Sequence, residues 1–235
     1  MENSVEHEKD VVVVEELEGS ELGTLQYWDD AYAREIENYK SHGDVGEIWF
    51  GEDAEIRIVN WMVDSELVSF EDNIIDIGCG NGMTLIELAR EGFTNLTGVD
   101  YSQAAVELAK AIAEKQELNI DYHKFDILSE ENISNLGPFK IIHDKGTYDA
   151  ISLCPDDTRR KRLKYIDNIW HLMNQDGLLV LTSCNWTEQE LVRSFGDRFE
   201  LIQVIPTPRF TFGGKSGSLI TSVVFRKRVK EDCIV

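Results

Sequence analysis

Apolar positions along this chain repeat first with helical spacing and then with strand spacing. Between Leu22 and Lys40, Leu25, Trp28, Tyr32 and Ile36 fall near a 3.6-residue period, with Thr24 as a candidate N-cap, and predict an amphipathic helix. A turn at 41–44 and the stretch GEIWFG (46–51) follow. A second amphipathic helix over about 53–65 carries Ile56, Val59, Trp61 and Met62. From residue 73 short apolar runs alternate with amphipathic segments. Strands are predicted at 73–78 (NIIDIG), 96–100 (LTGVD), 120–125, 139–144 (FKIIHD) and 178–183 (LLVLTS). Helices are predicted at 82–91, from a Ser102 cap to 116, at 158–174, and from a Thr187 cap to 195. Two final strands, 199–205 and 219–228, have no helix between them.

Strands joined by crossovers run parallel and are covered on both faces. The pattern therefore predicts an α/β fold, a doubly wound, seven-stranded, mostly parallel sheet whose last strand turns back antiparallel. The 235 residues suit one well-filled domain. That domain is expected over 22–228, with 22–68 as N-terminal helices (the lid, as the family resemblance drawn below implies) and 73–228 as the sheet core. Residues 1–21, with eight acids and one lysine, predict an acidic disordered tail, and 229–235 a C-terminal tail.

Charge narrows the partners. Acids outnumber Lys and Arg 44 to 23, a net charge of −21. A nucleic-acid backbone or an anionic membrane surface calls for the opposite sign, so neither is expected, while a basic protein partner is allowed. The four cysteines, at 79, 154, 184 and 233, form no Cys-x-x-Cys pair and read as reduced thiols. No run of about 18 apolar residues predicts a membrane span, and the start MENSVEHEKD lacks the features of a signal peptide.

The strongest local signal is Asp76-Ile77-Gly78-Cys79-Gly80-Asn81-Gly82, placed after a strand and at the start of a helix. Glycines let the backbone approach a ligand closely, and open parallel sheets bind ligands at the carboxyl ends of their strands. Asp100 ends the next strand, where a carboxylate can accept both hydroxyls of a ribose. The dinucleotide fingerprint needs its third glycine at position 83, which is Met. Asp76 also suits a cationic ligand better than a pyrophosphate. The loop thus favours S-adenosylmethionine, with a nicotinamide or flavin cofactor, or a purely structural turn, as the other readings. Asp126 and the Ile127 amide, at the end of the third strand, are placed to meet adenine; the alternative for Asp126 is an acid opening a solvated loop. Gly213-Gly214-Lys215-Ser216 resembles a phosphate loop, but position 209 is Arg where glycine is needed, so a tight turn is expected.

The fourth strand ends in His143-Asp144-Lys145-Gly146-Thr147-Tyr148-Asp149. It lacks the Asn/Asp-Pro-Pro-aromatic sequence common in enzymes that methylate base amino groups. Asp144 is instead placed to orient a substrate ammonium and help it shed a proton, because methyl transfer to nitrogen needs a neutral, aligned amine. Trp49, Phe50, Tyr148 and Trp186 are aromatic candidates for the site, with core packing as the other reading of Trp49 and Trp186. His123, His143 and His171 read as packed or surface residues. No His, Cys and acid set has metal-ligand spacing, and no metal is expected.

With these stretches the chain resembles the eukaryotic elongation factor 1-alpha lysine methyltransferases, of the type called elongation factor 1A lysine methyltransferase 2. The resemblance lies in LGTLQYWDDAY (22–32), GEIWFGE (46–52), DIGCGNG (76–82), GVDYS (98–102), DKGTYDAISL (144–153), TSCNWT (182–187) and PTPRFTFGGKSG (206–217). DIGCGNG alone points only to a methyltransferase; DKGTYDAISL and the FGGKSG stretch are narrower. The resemblance implies a Rossmann-like class I fold and an S-adenosylmethionine-dependent protein-lysine N-methyltransferase that releases S-adenosylhomocysteine. The implied substrate is a lysine of the elongation factor, a basic protein, with another protein or a small molecule as the alternative. A monomer in the cytoplasm, with the nucleus as a second compartment, is expected. The expected cofactor site comprises Trp49, Phe50, Asp76, Gly78, Cys79, Gly80, Asn81, Gly82, Asp100, Tyr101, Asp126, Ile127 and Asp144. Asp144 is the expected catalytic residue, and Tyr148, Asn185 and Trp186 the expected substrate contacts.

Overall fold

A computed structural model describes residues 14–129, 133–208, 210–212 and 215–229. Nine strands are described: β1 (Asn73–Ile77), β2 (Asn95–Asp100), β3 (Asp121–Lys124), β4 (Phe139–Lys145), β5 (Met173–Ser183), β6 (Phe199–Ile205), β7 (Phe210–Phe212), β8 (Lys215–Gly217) and β9 (Thr221–Lys227). Seven form one sheet in the order β3-β2-β1-β4-β5-β9-β6. Pairs among β1 to β5 are parallel, and β9 runs antiparallel to both β5 and β6. The expected seven-stranded sheet with an antiparallel final strand is therefore present.

The helices are α1 (Leu25–His42), α2 (Glu52–Asp64), α3 (Met83–Glu91), α4 (Gln103–Lys115), α5 (Ile133–Leu136), α6 (Thr147–Ser152), α7 (Thr158–Leu172) and α8 (Glu188–Phe195). Caps follow the sequence signals. Thr24 and Ser102 accept from backbone N–H groups at the starts of α1 and α4, and Thr187 with Glu190 forms a capping box on α8.

Period-two alternation along the strands sorts side chains into two cores. Ile74, Ile141, Val180 and Val224 face one core, built with α1 to α4. Ile75, Ile142, Leu179 and Val223 face the other, built with α6 to α8. Strands buried on both faces explain why the sequence reads there as continuous apolar runs rather than alternation.

Three boundaries differ from expectation. The short helix α6 follows β4 directly, turned by Gly146 at φ 97°. Helix α7 stops at Leu172, and β5 begins at Met173; the register between β4 and β5 shifts between Phe139 and Ile141, which absorbs the Gln-Asp-Gly expected to end the helix. Residues 14–21 of the expected tail are held against the domain. Val14 and Leu17 pack against the second core, Glu16 pairs with the buried Arg162 at 2.6 Å, and Ser20 N–H donates to Leu153 O at 2.9 Å. Residues 1–13 and 230–235 lie outside the described residues, as do Gly213 and Gly214 of the expected turn between the paired strands β7 and β8.

Candidate active site

The sheet order reverses between β1 and β4, and a cavity of about 600 Å³ opens at the carboxyl ends of these strands. The loop after β1 forms its floor. Gly78, Gly80 and Gly82 have φ of 68°, 55° and 76°, which side chains rarely adopt. A Cβ on Gly78 would stand 1.9 Å from Thr147 Oγ1, and one on Gly80 would stand 2.4 Å from the Tyr32 hydroxyl. Gly78 and Gly80 line the cavity, whereas Gly82 lies behind its wall and starts α3.

Asp100 closes β2 beside this loop. Its two carboxylate oxygens accept from Gly80 N–H at 3.0 Å and Ser102 N–H at 2.9 Å. Burial pushes its pKa up to about 6 against the lowering effect of those bonds. Each oxygen accepts more than one hydrogen bond, so capacity remains toward the cavity. Tyr101, Asp126 and Ile127 also line the cavity. Asp126 is exposed and accepts from Leu128 N–H at 2.8 Å, while Ile127 O accepts from Asn168 at 2.7 Å.

A lid closes the cavity from the N-terminal side. Trp28 and Tyr32 of α1 stack with 6.0 Å between ring centroids, and Trp28 meets Trp49 edge-on at 4.9 Å. Asn81 of the glycine loop donates to the carbonyls of Val45 and Glu47 at 3.0 and 3.2 Å, and Lys145 donates to Trp49 O at 3.2 Å. Phe50 is held at φ 67°, an uncommon conformation for a bulky residue, and its ring covers Gly146 at the exit of β4. Trp49, Phe50, Cys79, Asn81 and Asn185 line the cavity.

Four other expected residues stand elsewhere. Asp76 pairs with His143 Nδ1 at 2.7 Å, because the β1–β4 register sets the two side by side on one face. Both are buried, and Asp76 is not on the cavity wall. Asp144 is fully buried on the opposite face. It accepts from the Tyr165 hydroxyl, from Thr147 N–H at 2.8 Å and from Tyr148 N–H at 3.0 Å. Strand parity turns it toward α7 rather than the cavity, and burial pushes its pKa up to about 7. That corrects the catalytic and cofactor roles expected for Asp144. Tyr148 packs in the second core between Tyr165, Phe195 and Trp186. Trp186 is also buried there, its indole N–H donating to Ser152 at 3.0 Å with the Arg162 guanidinium over its ring. The core reading of Trp186 is the one the structure has.

Sequence reasoning missed Thr147, Lys145 and Asp149, which line the cavity. Thr147 Oγ1 donates to Ile77 O at 2.7 Å and packs against Gly78. Asp149, in the first turn of α6, accepts from Ser183 Oγ at 2.5 Å and Cys184 N–H at 2.7 Å. Thr147 and Asp149 belong to the unread helix α6, and Lys145 is the last residue of β4.

The cradle fits S-adenosylmethionine: a floor turned by Gly78 and Gly80, the buried Asp100 carboxylate at the end of β2 and an aromatic lid. Residues 70–223 match the family profile of a methyltransferase domain. The chain is 46% identical over 214 residues to EEF1A lysine methyltransferase 2 of Danio rerio, covering 91% of each chain. It is 38% identical over 228 residues to the protein-lysine N-methyltransferase efm4 of Schizosaccharomyces pombe, covering 89% of this chain and 95% of that one. Among solved structures, the N-methyltransferase NodS of Bradyrhizobium japonicum, in complex with S-adenosylhomocysteine, superposes with a TM-score of 0.62 at 16% identity over 85% of this chain and 98% of its own. That last likeness concerns the fold alone.

Proposed function

The chain belongs to the EEF1A lysine methyltransferase 2 family, and from that premise we propose that it is an S-adenosylmethionine-dependent protein-lysine N-methyltransferase acting on EEF1A. The observation that carries the substrate is sequence identity extending over nine-tenths of both chains, lid and cavity segments included. Bound S-adenosylmethionine supplies a methyl group activated by a sulfonium.

The residues then divide the work. Gly78 and Gly80 hold the loop in left-handed turns against Thr147 and Tyr32, where a Cβ would collide, and so keep its backbone at the floor that receives the cofactor. Asp100 accepts the ribose hydroxyls, held in place by the Gly80 and Ser102 amides. Asp126 and Ile127 border the adenine, and Cys79 and Tyr101 complete that wall. Trp49 and Phe50 exclude water from the methyl end, anchored through Asn81 and Lys145. Asn185 stands at the exit of β5 as a substrate contact.

Purified EEF1A incubated with methyl-labelled S-adenosylmethionine and this protein should gain label on lysine. Asp100→Ala removes a buried charged acceptor and should weaken cofactor binding about ten- to a hundredfold, equivalent to about 1.5–3 kcal/mol. Unlabelled EEF1A would refute the substrate. Full activity of Asp100→Ala would refute the ribose assignment.

A further inference from the structure

Five carboxylates line the cavity: Glu47, Asp100, Asp126, Asp149 and Asp157. Asp100 belongs to the glycine loop and the ribose. Glu47, Asp126 and Asp157 are exposed, and Asp157 stands 3.5 Å from Arg160. Asp149 alone combines burial, at 5% exposure, with a place at the joint exit of β4 and β5. Phe50 covers Gly146 three residues before it, and Cys184 and Asn185 continue the same wall.

The surroundings hold this carboxylate in one orientation. Ser183 Oγ donates to Oδ1 at 2.5 Å, and Cys184 N–H donates to Oδ2 at 2.7 Å. The serine hydroxyl is itself fixed, because it accepts from Asn185 N–H at 3.1 Å and Trp186 N–H at 3.0 Å. One oxygen of Asp149 therefore meets a hydroxyl whose direction three hydrogen bonds define. Each carboxylate oxygen has further lone pairs. Burial raises the pKa of Asp149, and the bonds from residues 183–185 oppose that shift.

We propose that Asp149, and not Asp144, is the carboxylate that touches the reacting amine of the target lysine. This rests on the protein-lysine reading above. The neutral amine donates one N–H to Asp149, which aims its lone pair at the methyl group. The N–C bond forms from that lone pair as the C–S bond breaks and its electron pair passes to sulfur. Positive charge thereby moves from sulfur to nitrogen, and the fixed carboxylate stabilises the charge growing on nitrogen. The methylated ammonium later releases its extra proton to solvent.

The test compares Asp149→Asn with the wild-type protein on EEF1A. Asparagine keeps the shape of the side chain and one acceptor oxygen, for Cys184 N–H, while the charge and the acceptor for the Ser183 hydroxyl are lost. The expected result is a fall in kcat of about a hundredfold, with calorimetric affinity for S-adenosylhomocysteine within about twofold of wild type. The protein loaded with S-adenosylhomocysteine should also bind EEF1A more weakly when it carries Asp149→Asn. Unchanged kcat, or a loss of cofactor affinity that matches the loss of turnover, would overturn the proposal. If Asp149→Asn does not fold, Ser183→Ala decides: a five- to tenfold lower kcat (about 1 kcal/mol for the lost bond) at unchanged cofactor affinity supports it, and wild-type kcat overturns it. Labelling of EEF1A by the wild type tests the underlying reading separately.

Discussion

Asp144 and Asp149 differ by five positions and by everything that decides what a carboxylate does. Asp144 sits on a strand face packed by α7, so its charge has no water and is balanced only by Tyr165, two backbone amides and their surroundings. Its pKa of about 7 lies above the unfolded value of 3.8. Between those values the native state holds a proton that the unfolded state has released, so stability falls as pH rises through that window. The contribution is present below pH 4 and lost above pH 7, on the order of 4 kcal/mol across the window. Asp144→Asn should therefore flatten the decline of denaturant stability from pH 4 to pH 7. A slope identical to wild type would place the titration in another group. At this scale the sequence told much about the glycine loop, because DIGCGNG and Asp100 act through local backbone geometry. It told less about which acid meets the substrate. That choice depends on one residue of strand parity and on a two-turn helix whose sequence, TYDAIS, carries no periodic signal.

At the scale of elements, strands and long helices were legible because each obeys a local rule: alternation into two cores, or a cap followed by a 3.6-residue stripe. Thr187 is an example. Its hydroxyl accepts from Glu190 N–H while the Glu190 carboxylate takes the Thr187 N–H at 2.9 Å. Thr187→Ala breaks this box and should cost about 1 kcal/mol, lowering Tm by about 2–4 °C for a chain of this size. Helix α8 packs on the second core and does not line the cavity, so S-adenosylmethionine affinity should hold. A calorimetric change in that affinity would show α8 to be coupled to the site. What the local rules missed were contacts across long sequence distances. Glu16 finds Arg162 on α7, and Asn81 finds the carbonyls of 45–47. Both convert a stretch that reads as polar loop or tail into fixed structure. Composition alone could not see either partner.

For the whole molecule, the net charge of −21 acts at a range that no single contact reaches. The first 21 residues carry −7 of it, and the rest of the chain carries −14, so most of the field belongs to the folded domain. The start of α7 is a local exception: Arg160, Lys161 and Lys164 stand at the cavity wall and set the field only close by. At longer range a basic substrate is drawn in and an acidic one held off. No described helix is long and apolar enough to cross a membrane. The attraction has a definite salt signature, because the screening length is about 10 Å at 0.1 M and about 3 Å at 1 M. The KM for EEF1A should rise severalfold as salt increases through that range. The KM for S-adenosylmethionine should stay nearly constant, since that ligand meets buried groups such as Asp100 at contact distance. Measuring both constants in one salt series separates steering from general inhibition. A parallel rise in both would point to a weakened fold, and a flat KM for EEF1A would leave the acidic surface without a role in recognition.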